Sequence, residues 1–282
     1  MRIACLTDLH IDYGPLNKQV LPYLAARIER AAPDAVAVAG DIATDLDILT
    51  ISLKAISGLA TTNVFVPGNH DVWCRVGEGP KKPGCSMRRY KQDIKEACER
   101  AGFHYLPNQP LIVDGVGFAG TMGWYDYSFR RPDLDERISL DDYRSKRCGS
   151  NVWYDIVCAD LGAPDEEVAA RMERELAHDI GLLAKENVRG IVCVTHHVPF
   201  RRCVEYKNFV GWDFFSAYMG SEGLGRIVLE QPLVRAALFG HTHSRFDVRI
   251  DHVRCVCPPV GYLRKRTPLE DLAERSVAVV EV

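Results

Sequence analysis

The segment VFVPGNHDVW, Val64 to Trp73, begins as a buried strand and ends by presenting an amide, an imidazole and a carboxylate side by side. Val64, Phe65 and Val66 suit a strand covered on both faces. Pro67-Gly68 then turns the chain and delivers Asn69, His70 and Asp71. The same order recurs upstream. Ile3 to Thr7 runs into Asp8-Leu9-His10, and Ala35 to Ala39 runs into Gly40-Asp41. Between these strands, residues 18–31, 45–59 and 86–101 carry helical patterning. A β-α-β-α order predicts a parallel sheet with covering helices.

The pattern changes further along. LIVDGVGFAG (111–120) reads as two strands joined at Asp114-Gly115, a hairpin signal. A helix is expected from Pro164 to about Glu186, with acidic residues in its first turn where the helix dipole favours them. Ile191 to Thr195 and Ala236 to Phe239 read as strands, and 246–251, 253–257 and 276–281 have β character. Parallel units first and hairpins later predict an α/β fold: a two-sheet β-sandwich flanked by helices, four layers αββα, as a single domain over 1–282. Irregular insertions are expected at about 72–90, 123–163 and 200–225.

Bulk properties narrow the function. The formal charge of −3 gives no broad case for nucleic acid or acidic lipid. No run approaches the eighteen or so apolar residues of a membrane span. Arg2 and Asp8 interrupt the first apolar run too early for an export signal, so a cytoplasmic location is expected. The ten cysteines include no Cys-x-x-Cys pair for zinc and are expected as reduced, small hydrophobes. Composition does not indicate an oligomeric state.

Six of the nine histidines fall just after apolar runs: in Asp8-Leu9-His10, Gly68-Asn69-His70-Asp71, Thr195-His196-His197 and Gly240-His241-Thr242-His243. Ligands of open α/β sheets collect at the carboxyl ends of strands, so neighbouring strands would bring these motifs into one crevice. Imidazole mixed with carboxylate, without thiolate, suits Mn, Fe or Zn rather than an all-oxygen Ca or Mg site. The donors are too many for one tetrahedral zinc and suit two metal ions sharing a carboxylate. Such a pair clamps the attacking and leaving oxygens of an in-line displacement at phosphorus.

Asp8-x-His10, Gly40-Asp41, Gly68-Asn69-His70-Asp71, His196 and Gly240-His241-x-His243, in that order, resemble the signature of the calcineurin-like metallophosphoesterases. The resemblance spans residues 8–243 and implies a metal-dependent hydrolase of phosphate esters. It implies that Asp8, His10 and His243 hold one metal, that Asn69, His196 and His241 hold the second, and that Asp41 bridges them with one oxygen to each. Mn or Fe is expected, with Zn as an alternative. Attack by a hydroxide bridging the two metals is implied. His70 is then a catalytic residue at the phosphoryl or leaving-group oxygen, and Asp71 its hydrogen-bonded partner, keeping it cationic. His197 is expected to cap its loop or line the pocket.

Departures narrow the branch. Residues 40–44 lack the tyrosine of purple acid phosphatases, and Thr44-Asp45-Leu46 stands where protein phosphatases carry Asp-Arg-Gly. A bacterial-type phosphodiesterase or phosphatase remains, with the diesterase favoured and a small-molecule or nucleotide phosphoester as substrate. A catalytically inactive scaffold for protein partners is the alternative. GWYDYSFRRPD (123–133) and PFRRCVEYKNFVGWDFF (199–215) place aromatics beside Arg130, Arg131, Arg201 and Arg202, a combination suited to a ring plus phosphate. The stretch 77–91 reads as a flap or a solvated loop.

Overall fold

The computed structural model describes residues 1–74, 82–263 and 268–282. Strands β1 (Arg2–Leu6), β2 (Ala35–Ala39), β3 (Thr62–Val66) and β4 (His104–Tyr105) run parallel in one sheet, and β13 (Ala278–Glu281) pairs antiparallel with β1. The second sheet has the order β11-β12-β10-β9-β6-β5, from β5 (Leu111–Val113), β6 (Val116–Thr121), β9 (Gly190–Thr195), β10 (Val234–Leu238), β11 (Phe246–Ile250) and β12 (Val253–Cys257). The strands β6, β9, β10 and β12 at its centre are mutually parallel, and the expected hairpin at Asp114-Gly115 joins β5 to β6.

Alternation along each strand builds the layers. Ile3, Cys5, Ala37, Val64 and Val66 face Phe118, Val192, Val194, Leu238 and Val256 in the core between the sheets. Ala4, Leu6, Val36, Val38 and Phe65 face outward onto helices Pro15–Ala31, Leu46–Lys54 and Ile94–Arg100. Helices Asp165–Leu183 and Glu222–Glu230 cover the far side of the second sheet through Leu176, Ile180, Leu224 and Val228. The molecule is the predicted two-sheet sandwich between helices.

The expected tail strands form, and a helix, Leu269–Ser276, precedes β13, its Leu272 and Ala273 packing on the first helical layer. Three expectations need correction. The second helix ends at Lys54, and Ser57–Leu59 forms a separate 3₁₀ turn. The 86–101 helix is interrupted by a π turn over Arg89–Asp93. Cys74 and Cys85 are joined by a disulfide, so the reading of all thiols as reduced does not hold; the other eight are free, and all but Cys148 are buried. Part of the expected 72–90 insertion and 77–91 flap lies outside the described residues. The 123–163 insertion contains the small hairpin β7 (Arg147–Cys148) and β8 (Asn151–Val152). Among the described residues, no helix is long and apolar enough to cross a membrane.

Candidate metal centre and active site

All five motifs leave the carboxyl ends of central strands on the same edge of the sandwich. Two groups of donors result, and Asp41 belongs to both. Asp8, His10, Asp41 and His243 form one; Asp41, His196 and His241 form the other, with donor atoms in each group within 4.8 Å of one another. Asn69 joins the second group, its Oδ1 lying 3.2 Å from His196 Nε2 and 3.0 Å from His241 Nδ1.

The backbone is bent sharply to achieve this. Asp8, His10, Asp41, His241 and His243 all have φ between 45° and 71°, the left-handed region that costs an L-residue roughly 1–2 kcal/mol. Such strain gathers where surrounding structure holds it for function. Gly68 is needed for a different reason: a Cβ there would sit 2.6 Å from the Asp41 nitrogen and 2.7 Å from its Cγ. Gly68→Ala is therefore expected to displace Asp41 and remove most bound metal, on the order of tenfold or more in affinity. Elemental analysis of the purified variant beside wild type measures this.

The protons on the rings can be placed from their partners. His196 Nδ1 lies 2.8 Å from the Ala39 carbonyl, and His241 Nε2 lies 3.1 Å from that of Tyr218. A carbonyl only accepts, so both of these nitrogens carry hydrogen. In the neutral rings His196 Nε2 and His241 Nδ1 then turn lone pairs toward each other at 3.2 Å. Asn69 donates through Nδ2 to Asp155 at 3.1 Å, which aims its Oδ1 lone pairs at the same point. Asp41 Oδ2 adds a fourth acceptor, 3.4 Å from His196 Nε2. Four acceptors converging on one point call for positive charge among them, a proton on one ring or a metal ion. Burial opposes charge on His196, yet the Asp41 carboxylate raises its pKa to about 9: the position demands positive charge, as a proton or a metal ion. Burial holds His10 and His241 well below the usual imidazole range. The donor set thus fits metal ions on its own chemistry.

Asp41 presents its two oxygens to different partners. Its Oδ1 accepts the His70 backbone N–H at 2.9 Å, leaving Oδ2 alone to face both sides, 3.6 Å from His10 and 3.4 Å from His196. Oδ2 is thus the carboxylate oxygen that both donor groups share in reach.

Asp71 departs from expectation. It does not bond His70. Its Oδ2 accepts the backbone N–H of Gly68 and Asp41, and its Oδ1 those of Ile42 and Ala43, all at 2.8–3.0 Å. Asp71 ties the loop after β3 to the loop after β2. Arg89, from the π turn, adds bonds to the carbonyls of Asp71 and Thr44. His70 points away from this tie: its ring stacks on Trp73 with centroids 3.6 Å apart, and its Nε2 lies 3.0 Å from the Tyr262 hydroxyl. Burial lowers its pKa despite Asp41 and Asp155 nearby, which works against the expected cationic form.

His197 is buried behind His241, ring centroids 4.3 Å apart, with Nδ1 3.2 Å from the Met122 carbonyl. It holds the end of β6 and does not line the cavity. Burial pushes its pKa down to about 3.

Two functional neighbours escape a sequence reading. Asp155, buried in the 123–163 insertion, accepts from Asn69, Trp73, Trp153 and Tyr125. Tyr262 meets His70 across 192 positions. Nothing local in the sequence marks either residue: the Trp-Tyr-Asp triplet that ends in the buried Asp155 also occurs at 124–126, where Asp126 is only half-buried.

A cavity of about 550 Å³ opens from this cluster, bounded by Asp41, Asn69, His70, His241 and His243 at its head. Trp212 and Phe215 from the second aromatic stretch line it, joined by Trp153 and Tyr154. The arginines do not. Arg130 pairs with Asp135, Arg131 with Asp133 and Asp213, and Arg201 with Glu222. These three brace the insertions and do not meet the substrate space.

A two-sheet sandwich with paired His/Asp donor groups at its strand ends defines a metal-dependent phosphoesterase. The chain belongs to the calcineurin-like phosphoesterases, whose family model matches residues 1–245. Its fold is similar to the phosphopantetheinyl hydrolase of Mycobacterium tuberculosis (TM-score 0.70, 21% identity, covering 99% of this chain and 95% of that one). It is also similar to a dimetal phosphatase from Danio rerio (TM-score 0.51, 13% identity, covering 91% of this chain and 86% of that one). Comparison with curated proteins finds no match.

Proposed function

We propose that the chain hydrolyses small-molecule phosphodiesters: water and a diester give a phosphomonoester and an alcohol. One observation carries this reading. Acceptors that share Asp41 converge at the head of an open cavity, and His70 enters that same cavity. Asp8, His10, Asp41 and His243 would hold one ion, and Asp41, Asn69, His196 and His241 the other. Two such ions, Mn or Fe with Zn as the alternative, supply Lewis-acid activation of water and neutralise charge on the phosphoryl group.

The chain's own residues do the remainder. The His70 imidazole, held between Trp73 and Tyr262, offers a hydrogen bond to a phosphoryl or leaving-group oxygen. The carbonyls of Ala39 and Tyr218 fix the tautomers of His196 and His241, so their lone pairs face inward. Asp155 holds the Asn69 amide in the orientation that presents its oxygen.

The test is hydrolysis of bis(p-nitrophenyl) phosphate beside p-nitrophenyl phosphate, with Mn²⁺, Fe²⁺ or Zn²⁺ supplied. A diester preference is expected; turnover of the monoester alone would reassign the chain as a phosphatase. A phosphopantetheinyl diester belongs in the same panel, since the mycobacterial relative is named for that group. His70→Ala is expected to keep its metal while turnover falls roughly 10²–10⁴-fold. Loss of metal from that variant would make His70 a ligand instead.

A further inference from the structure

The cavity has two chemically different ends. The head is polar. The wall that runs on from it is built of Val152, Trp153, Val204, Trp212, Phe215 and Met219, with Trp153 next to His241. The polar handles of its large side chains are already used. Trp153 Nε1 donates to Asp155 at 2.7 Å, and Trp212 Nε1 to the Glu205 carbonyl at 3.0 Å. Trp73, nearer the head, donates to Asp155 at 2.6 Å. The Ser216 hydroxyl is bonded to the Asp213 carbonyl at 2.6 Å. What these groups leave facing the cavity is hydrocarbon and aromatic surface.

Charge on this wall is matched internally. Glu205 is its carboxylate, and Lys207 lies 3.8 Å from it and 3.3 Å above the Trp212 ring. Among the described residues no lysine or arginine lines the cavity. At the mouth, Trp212 is 41% and Tyr154 64% exposed, a large aromatic surface left in water.

The geometry points to a substrate whose ester arm is uncharged and apolar, lying along Trp153, Trp212 and Phe215 while its phosphoryl group sits at the Asp41 head. This inference rests on the phosphoester reading above and names which esters the site selects. A cationic arm would compete with Lys207 for the wall's one carboxylate, Glu205, 3.8 Å from the Lys207 ammonium. A polar arm would find the three indole N–H groups and the Ser216 hydroxyl already committed, with the Tyr154 and Thr242 hydroxyls left to it. An apolar chain gains from every methylene it removes from water.

The experiment is titration calorimetry of Mn²⁺-loaded protein with methyl phosphate, hexyl phosphate and phosphocholine. The three ligands share a phosphate head and differ in the arm. Hexyl phosphate is expected to bind at least about 30-fold more tightly than methyl phosphate, and more tightly than phosphocholine. Trp212→Ala is expected to cut the hexyl advantage about fivefold or more; Trp212 is 41% exposed, so the variant should keep its melting temperature, and Phe215→Ala provides a second variant. Equal affinity for hexyl and methyl phosphate would overturn the inference, as would a preference for phosphocholine or a hexyl advantage that both variants leave intact. Binding preference without turnover of any diester would instead sink the diesterase reading while the apolar-arm site stands.

Discussion

Asp41→Asn is expected to lower kcat on the order of 10³-fold and to weaken metal binding in both donor groups together. The substitution is nearly isosteric, and its amide can be oriented so that the oxygen still accepts the His70 N–H, 2.9 Å from Oδ1 in wild type. The NH₂ then replaces Oδ2, the atom that faces His10 at 3.6 Å and His196 at 3.4 Å. An anionic oxygen shared by two sites becomes a neutral donor that repels cations from both. Asp8→Asn removes a donor of the His243 group, where Asp8 Oδ1 is 3.4 Å from His243 Nε2, and touches the second group only through the His241 backbone N–H, which the amide oxygen can still accept. Metal content per chain, measured by elemental analysis across a range of added Mn²⁺, separates the two. Asp41→Asn should lose both ions over one range of concentration. A variant that lost one ion and kept the other tightly would show that Asp41 is not shared.

Asp71→Ala carries the second large effect, and its signature is stability. The carboxylate satisfies four buried N–H groups, from Gly68, Asp41, Ile42 and Ala43. A buried donor left unpaired costs about 1–3 kcal/mol, so the loss should reach at least about 4 kcal/mol of a total that in most domains is roughly 5–15 kcal/mol. For a chain of this size that corresponds to a melting temperature lower by roughly 10 °C. Metal binding should suffer with it, since Gly68 and Asp41 sit on the two loops released. Had Asp71 served to charge His70, the variant would melt normally and lose turnover only. Thermal melting of Asp71→Ala beside His70→Ala decides between these roles.

The placement of the motifs was legible because it follows local rules. A short apolar run ending in glycine, aspartate or histidine marks β1, β2, β3, β9 and β10, and parallel strands carry such ends to one edge of the sheet. The pairing of Asp8 with His10 and His243 came from a family resemblance; spacing alone does not select it. Asp71 was misread because adjacency to His70 suggested contact. In the short turn Asn69–Val72 successive side chains diverge, and the carboxylate turned toward the Asp41 loop while the imidazole turned toward Tyr262. The arginines of the two insertions were misread for a related reason. A charge in sequence next to aromatics shows what it can pair with only once Asp213, Asp135 and Glu222 are brought to it.

By itself, then, the sequence determined the two-sheet architecture and the five strand ends that carry donors, because periodicity and turn chemistry act over a few residues. Only the tertiary structure decided which carboxylate oxygen is shared, what Asp71 holds, how Asp155 aims Asn69 across 86 positions, and that the wall beside the centre is apolar. Those facts depend on side-chain direction and on partners distant in the chain, and packing alone settles them.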